Sequence, residues 1–354
     1  MKQKNIFNRS FWEMTGCMHS HTEHSYDSIV PVSKVIKAAR KNNLDYITIN
    51  DHRSRDVVND VALKDENEIK IIVGCEINDT KNKNHALVFC TDRIITNSDA
   101  VYYTKEYMLE KAVTFAAHPI EKRKSKEFKT YEWTDLENTR FAGLEVWNYM
   151  SQWVSKLNTK TNGLFMVMFP DLAVRKPEKS LLAYWDKLNL QGLRKSAIGS
   201  VDAHEQHYRF WGMNLKFLSH KFLYKTIRTN ILIPSDQEIS EENIIAALAN
   251  GNSYIVNYRC GDPYNFYCGI SDKANEAIMG EEIDLSEDLK YYYRLPTICK
   301  VKLICNGKVV DSQREDKGIF QLKEPGNYRL EVYKNLKGWI YTNNIYVNKS
   351  EERI

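Results

Sequence analysis

Between Pro31 and Asn42 the apolar residues Val32, Val35, Ile36 and Ala39 recur at helical spacing, while Lys34, Lys37, Arg40 and Lys41 fall on the other side. That pattern predicts an amphipathic helix. The next segment, Asp45–Asn50, reads as a buried strand, and it ends in Asp51-His52. Further strands are predicted over Ile69–Cys75, Ala86–Cys90, Thr114–Ala117, Leu144–Trp147 and Ala197–Val201. Helices are predicted over Ser180–Leu190 and Glu241–Asn250, the latter stopping at Gly251 as a helix C-terminus does. Strand, loop, helix, strand, with polar residues at the strand C-termini, is the grammar of an α/β barrel.

Around Pro263 the grammar changes. Tyr264–Ile270, Lys300–Cys305, Lys308–Asp311, Gly318–Leu322, Tyr328–Tyr333 and Trp339–Val347 are all strand-like, and helical periodicity is absent. Asn306-Gly307 is a two-residue hairpin signal, with further turns at Pro325-Gly326 and Lys337-Gly338. A chain of 354 residues suits two domains. The expected division is a barrel over residues 1–258 and a small antiparallel, β-sandwich-like domain over 259–354.

Composition narrows the class without naming a function. At 43% hydrophobic and 27% charged residues the chain is an ordinary soluble globular protein. Its net charge of +4 comes from 50 basic and 46 acidic residues, well mixed, so there is no basic stripe of the kind that marks a nucleic-acid surface. The seven cysteines are scattered and form no Cys-x-x-Cys pair, which argues against a zinc ribbon or a disulfide framework and fits a reduced, cytoplasmic setting. Met1–Thr15 lacks the apolar core of a signal peptide. The longest apolar run, Leu164–Pro170, is too short to span a membrane.

Candidate chemistry gathers at the strand ends. His19 and His21 alternate in an extended segment and so point to one face. Asp27 follows on a turn, and His52, Glu76, His85, His118, Asp202 and His204 each stand at or beside a strand terminus. These nine donors offer nitrogen and oxygen but no thiolate, a set that suits two or three divalent ions (Zn, Mn or Fe) rather than a purely structural zinc. Asp51 reads either as hydrogen-bonding support beside His52 or as a turn former. Arg53 would meet an anionic substrate or make a salt bridge at the barrel rim. Lys122–Lys126 either overhangs the mouth or is a solvated loop, and Arg175 and Lys176 carry the same two readings. His24 and His207 flank the donor motifs and either touch substrate or face solvent. His220 reads as a surface histidine, and Cys17 and Cys75 as small residues that pack inward.

The order His19-Ser20-His21-Thr22 with Asp27, Asp51-His52, Gly74-Cys75-Glu76 with His85, Ala117-His118-Pro119 and Asp202-Ala203-His204 resembles the PHP (polymerase and histidinol phosphatase) superfamily across residues 15 to 255. Leu144-Glu145-Val146-Trp147-Asn148, Tyr184-Trp185-Asp186, the run Ile244–Leu248 with Tyr254, Asn306-Gly307-Lys308 and Tyr341-Thr342-Asn343-Asn344 further resemble the branch named for carbaryl hydrolase. The resemblance implies a distorted (β/α)7 barrel with a bi- or trinuclear centre at its C-terminal mouth. It also implies hydrolysis in which Glu76, Asp202 and His204 carry catalysis, Glu76 bridging two ions. Arg53, Arg175 and His207 are the candidate substrate-binding residues. Two departures from the family pattern are Tyr26, which separates Ser25 from Asp27, and Arg53, where relatives often carry Asn or Asp. The expected activity is hydrolysis of a small, anionic phosphomonoester or phosphodiester by a metal-bridging hydroxide. A carboxylic ester, carbamate or amide is the alternative substrate. A non-catalytic metal-binding scaffold, whose β domain docks a partner or sugar, is the alternative from another class. The sequence leaves the oligomeric state open.

Overall fold

The amphipathic stretch near the N-terminus is a helix over Val32–Lys41 in the computed structural model, which describes residues 1–64, 68–125, 128–210 and 213–349, with side chains described throughout except at 160, 206–210 and 213–215. The chain forms two compact units. One comprises Thr15–Glu178 and Ile198–Thr229; the other comprises Met1–Met14, Lys179–Ala197 and Asn230–Ile354.

In the first unit the end of strand Arg9–Ser20 pairs in parallel with Tyr46–Ile49 on one side and with Ser196–Ala203 on the other. Tyr46–Ile49 pairs in parallel with Lys70–Val73. Helix Val32–Lys41 covers this region by burying Val32 and Ile36 against Ile49, Val57 and Val73, the apolar stripe that its spacing predicts. Gly16 lies so close to Tyr46 that an added Cβ would sit 2.3 Å from its ring.

The strand expected as one run over Ile69–Cys75 is two, Lys70–Val73 and Cys75–Ile77. Between them Gly74 lets the backbone pass a neighbour that no side chain would clear: its Cβ would lie 2.5 Å from the Val88 carbonyl oxygen. Cys75–Ile77 then pairs antiparallel with Ala86–Phe89, and Ala86–Phe89 antiparallel with Val113–Ala116. Parallel pairing resumes between Val113–Ala116 and Gly143–Asn148. The antiparallel stretch departs from the uniform βα repeat that barrel grammar implies. Its cause is the short link between Ile77 and Ala86, which holds no helix, and only antiparallel neighbours can be joined without a crossover.

The second unit is built on the strand Lys290–Cys305, which pairs antiparallel with Tyr267–Ser271, Lys308–Gln321 and Gly326–Lys334. The expected strands over Lys308–Asp311 and Gly318–Leu322 are thus parts of one long strand. Asn306-Gly307 makes the expected turn, both residues having positive φ (51° and 77°), as a two-residue hairpin requires. Trp339–Val347 divides into Lys337–Thr342 and Ile345–Asn348 at Asn343-Asn344. Asn343 is held there by donating to the carbonyls of Ala197 and Ser253. Helix Glu241–Asn250 is as predicted, with Gly251 in the left-handed conformation that closes it.

Strand Ser253–Asn257 pairs with Lys337–Thr342, and Leu232, Tyr254 and Val256 share a core with Val332 and Trp339. Residues 230–258 therefore pack with the C-terminal strands, whereas the change of grammar at Pro263 places a boundary at 258/259. Strand patterning marks where helices stop, and says nothing of which strands share a core. In the same unit Arg329 is fully buried over the Trp185 ring, with its charge met by Asp186 and Glu331. No helix among the described residues is long and apolar enough to cross a membrane.

Candidate metal centre

Eight of the donors stand at or beside the end of a strand in the first unit, and Asp27 stands on the turn between the strand Arg9–Ser20 and the helix Val32–Lys41. His19 lies within the register shift between Cys17 and Ser20 near the end of the strand Arg9–Ser20, so the backbone reaching the two histidines is irregular there rather than plainly alternating. His52 is fixed by a bridge to Glu76 that extends the parallel pairing of its strand. His118 and Asp202 end the strands Val113–Ala116 and Ser196–Ala203. Three of these donors adopt positive φ: His19 at 66°, His118 at 30° and Asp202 at 53°. Backbone of this kind is strained for residues with a Cβ, and such strain clusters at functional sites.

Glu76 is the hub. One of its oxygens, Oε2, lies 2.9 Å from His19 Nε2, 3.3 Å from His21 Nε2 and 3.4 Å from His52 Nδ1. The other, Oε1, lies 2.7 Å from His85 Nδ1 and 3.3 Å from His118 Nε2. Burial alone would raise this carboxyl, but His52, His19 and His85 outweigh it and hold Glu76 well below the ordinary range, so it is a buried anion. Asp202 is likewise depressed against its burial by His19 and His204. Conversely, Asp202, Glu76 and Glu145 keep His19 high in spite of its burial.

The donors fall into three overlapping groups, in each of which the candidate atoms lie within 4.8 Å of one another: His19, His21, Glu76 and Asp202; His52, Glu76 and His85; and His21, Asp27, His52 and His204. Asp27 Oδ2 stands 3.1 Å from both His52 Nε2 and His204 Nε2. His118 joins through Glu76. All nine expected ligands therefore meet in one place. Buried His21 Nε2 and His52 Nδ1 have no hydrogen-bond partner; each is near Glu76 yet wrongly angled to bond it. Unpaired nitrogens aimed at a shared carboxylate, with no thiolate present, fit divalent cations and leave little reason for such a cluster without them.

Residues 18–136 match the family model described as the PHP domain. That stretch holds seven of the nine donors; Asp202 and His204 lie beyond it. A comparison with curated proteins found no match. Among solved structures, the chain is similar to a two-domain protein from Bacteroides vulgatus described as containing a predicted PHP-like metal-dependent phosphoesterase, at 16% identity and a TM-score of 0.46, over 97% of this chain and 98% of that one. A candidate metal-dependent phosphoesterase from Bifidobacterium adolescentis is similar at 15% identity and a TM-score of 0.36, over 57% and 92%. Endonuclease Q, in complex with a 27-mer duplex carrying an abasic lesion, is similar at 13% and 0.41, over 75% and 65%. None of these supports the resemblance to the carbaryl-hydrolase branch.

Around the donors sit groups to which the sequence analysis gave no role at the centre. Glu145 is fully buried; its Oε1 lies 2.7 Å from His19 Nδ1, while Oε2 accepts from the His118 amide and from Asn148 Nδ2. Asn148 also caps the helix Tyr149–Lys156 and reaches Asp202 Oδ2 at 3.4 Å. Glu121 stands 4.0 Å from His118 Nδ1 and accepts from Ser151 and Arg123. A carboxylate among the apolar residues Leu144, Val146 and Trp147 of the fully buried strand Gly143–Asn148 is the signal by which Glu145 could have been found. Tyr26 stacks on His52 with ring centroids 4.8 Å apart, and Tyr131 lies 5.2 Å from His85.

The remaining candidates separate. Asp51 accepts from the Thr22 amide and hydroxyl, so it pins the His21-Thr22 segment. Arg53 is exposed and donates from Nε to Asn78. His24 pairs with Asp60. Arg175 is exposed and lies near Lys156. The side chain of His207, and residue Lys126, lie outside the described residues. His220, read as a surface residue, is 3% exposed, with its Nε2 3.0 Å from the His21 carbonyl. Burial and the neighbouring His204 push its pKa down to about 3, so it is a neutral donor that fixes the chain at His21. Cys17 and Cys75 are buried, as expected.

Proposed function

We propose that this chain is a metal-dependent hydrolase whose substrates are small phosphomonoesters or phosphodiesters. The observation that carries the reading is the convergence of nitrogen and oxygen donors, eight of them in three groups that share His21, His52 and Glu76, with His118 joined through Glu76. That sharing suits two or three divalent ions that Glu76 would help to hold, and the strands of the first unit would close around them as a distorted (β/α)7 barrel. When bound, divalent ions supply a nucleophile at neutral pH and Lewis-acid stabilisation of developing charge.

The chain's own residues do the rest. His19, His21, Asp27, His52, Glu76, His85, His118, Asp202 and His204 would hold the ions. Glu145 fixes the ring of His19 and Glu121 stands beside that of His118, as carboxylates do behind metal-bound imidazoles. Asp27, His204 and Asp202 are the most exposed of the donors, so they are placed to meet substrate, and Asp202 and His204 would move protons at its ester oxygen. Arg53, beside His52, supplies a fixed cation for non-bridging oxygens. The reaction consumes one water: a P–O bond forms to its oxygen, the ester P–O bond breaks, and the leaving oxygen takes a proton.

Elemental analysis of metal-replete protein tests the centre, with two or three ions per chain expected and one or none counting against it. The paired variant His19→Ala, His21→Ala should lose the ion they share and remain folded. Turnover of an aryl phosphate beside an aryl carbamate tests the substrate class; robust carbamate cleavage with negligible phosphatase activity would overturn it.

A further inference from the structure

In the same unit as the metal centre lies a cavity of about 490 Å³ whose charged lining is Lys122, Arg123, Lys124 and Lys156 against the single carboxylate of Glu178. Phe165, Met166 and Leu172 form an apolar wall. Its position relative to the donors is set by two links. Arg123 donates to Glu121, and Glu121 lies 4.0 Å from His118 Nδ1, so one carboxylate separates the cavity wall from a candidate metal ligand. Lys122 follows His118 by four residues, a reach of at most ~14 Å even for an extended chain. Helix Tyr149–Lys156 makes the second link: Asn148 at its start touches Asp202, and Ser155 and Lys156 at its end line the cavity.

The cations do not all have the same freedom. Arg123 is committed to Glu121 and to the carbonyls of Ser151 and Lys129, and Lys156 donates to the Ala173 carbonyl. Lys122 and Lys124 are exposed, and among the described residues neither is paired with a carboxylate. Burial, and the charges of Lys124, Arg175 and Lys176, lower the pKa of Lys156 against the pull of Glu178. An anion in the cavity would relieve that repulsion.

We propose that this cavity binds a second phosphate of the substrate, so that preferred substrates are phosphoesters carrying another phosphate along an apolar skeleton. The inference rests on the phosphoesterase reading above. With Arg123 held by Glu121, the other three cations less Glu178 leave a net excess of two positive charges, which matches a dianionic phosphate better than a carboxylate, and the wall of Phe165, Met166 and Leu172 takes the carbon skeleton.

The test uses the full-length, metal-loaded protein with a series of α,ω-alkanediol bisphosphates and the matching monophosphates. Wild type should prefer one bisphosphate length by tenfold or more in kcat/KM, and Lys122→Glu with Lys124→Glu should reduce the ratio of bisphosphate to monophosphate kcat/KM by about tenfold. Lys122→Gln with Lys124→Gln, which removes charge without reversing it, guards against misfolding of the first variant. A second readout is calorimetric binding of naphthalene-1,5-disulfonate, an anion that is not hydrolysed and is a weak ligand for divalent ions; wild type should bind it and the variants should not. No preference for any bisphosphate, or a ratio that the variants leave unchanged, overturns the inference even if monophosphates are hydrolysed. If wild type hydrolyses no phosphoester, the phosphoesterase reading fails by itself. Disulfonate binding then decides the cavity: binding lost in the variants supports an anion site, and no binding overturns it.

Discussion

Glu145→Gln should loosen the metal centre without touching any of the nine donors. Its two oxygens serve three buried groups: Oε1 meets His19 Nδ1 at 2.7 Å, and Oε2 accepts from the His118 amide at 2.8 Å and from Asn148 Nδ2 at 2.8 Å. Glutamine has the same shape but only one acceptor oxygen. If that oxygen faces His19, the His118 amide and Asn148 meet an NH2 group; if it faces them, His19 does. In either orientation at least one donor in a fully buried site is left unpaired. That costs about 1–3 kcal/mol, and the lost charge removes the stronger, ionic half of the His19 contact. With roughly 2 kcal/mol falling on the orientation of His19 or His118, metal affinity should drop about thirtyfold, within the range for carboxylates that stand behind metal-bound histidines. Chelator competition on wild type and variant measures this directly, with circular dichroism to show that both are folded. Affinity within twofold of wild type would refute the positioning role and leave Glu145 as a buried acid of structural use only.

Arg53→Ala should slow aryl phosphate hydrolysis roughly thirtyfold, about 2 kcal/mol in transition-state terms, with metal content retained and a neutral aryl ester little affected; equal losses on both substrates would count against a phosphate contact. Gly74→Ala forces a Cβ to within 2.5 Å of the Val88 carbonyl oxygen, and thermal unfolding should show a loss of about 1–3 kcal/mol. Asp186→Ala leaves the buried Arg329 guanidinium with Glu331 alone, and denaturant titration should show destabilisation by about 3 kcal/mol, the low end for a broken buried pair because one carboxylate remains. A chain ended at Tyr258 removes the partner of Ser253–Asn257 and the core around Trp339. Its residual unit should aggregate or unfold in sedimentation and dichroism measurements, and a soluble, folded, metal-binding product would favour a boundary at 258/259.

The sequence by itself determined where the donors are and of what kind. Eight of the nine stand at or beside an apolar strand-like run that makes their positions legible, and Asp27 follows on the turn after His21. Helix Val32–Lys41, helix Glu241–Asn250 with Gly251, and the Asn306-Gly307 turn were equally legible, since their rules act between residues a few positions apart. What only the tertiary structure decided depends on contacts far apart in the chain. Hydrophobic alternation carries no strand direction, so the antiparallel run from Cys75 to Ala116 is set by the short, helix-free link after Ile77. A lone histidine carries no periodicity, so His220 is buried because it meets the carbonyl of His21, 199 residues away. Glu145 and Glu121 gain their roles only when folding brings them to His19 and His118. Residues 230–258 join the C-terminal strands because Ser253–Asn257 finds its hydrogen-bond partner in Lys337–Thr342, a pairing that no local pattern encodes.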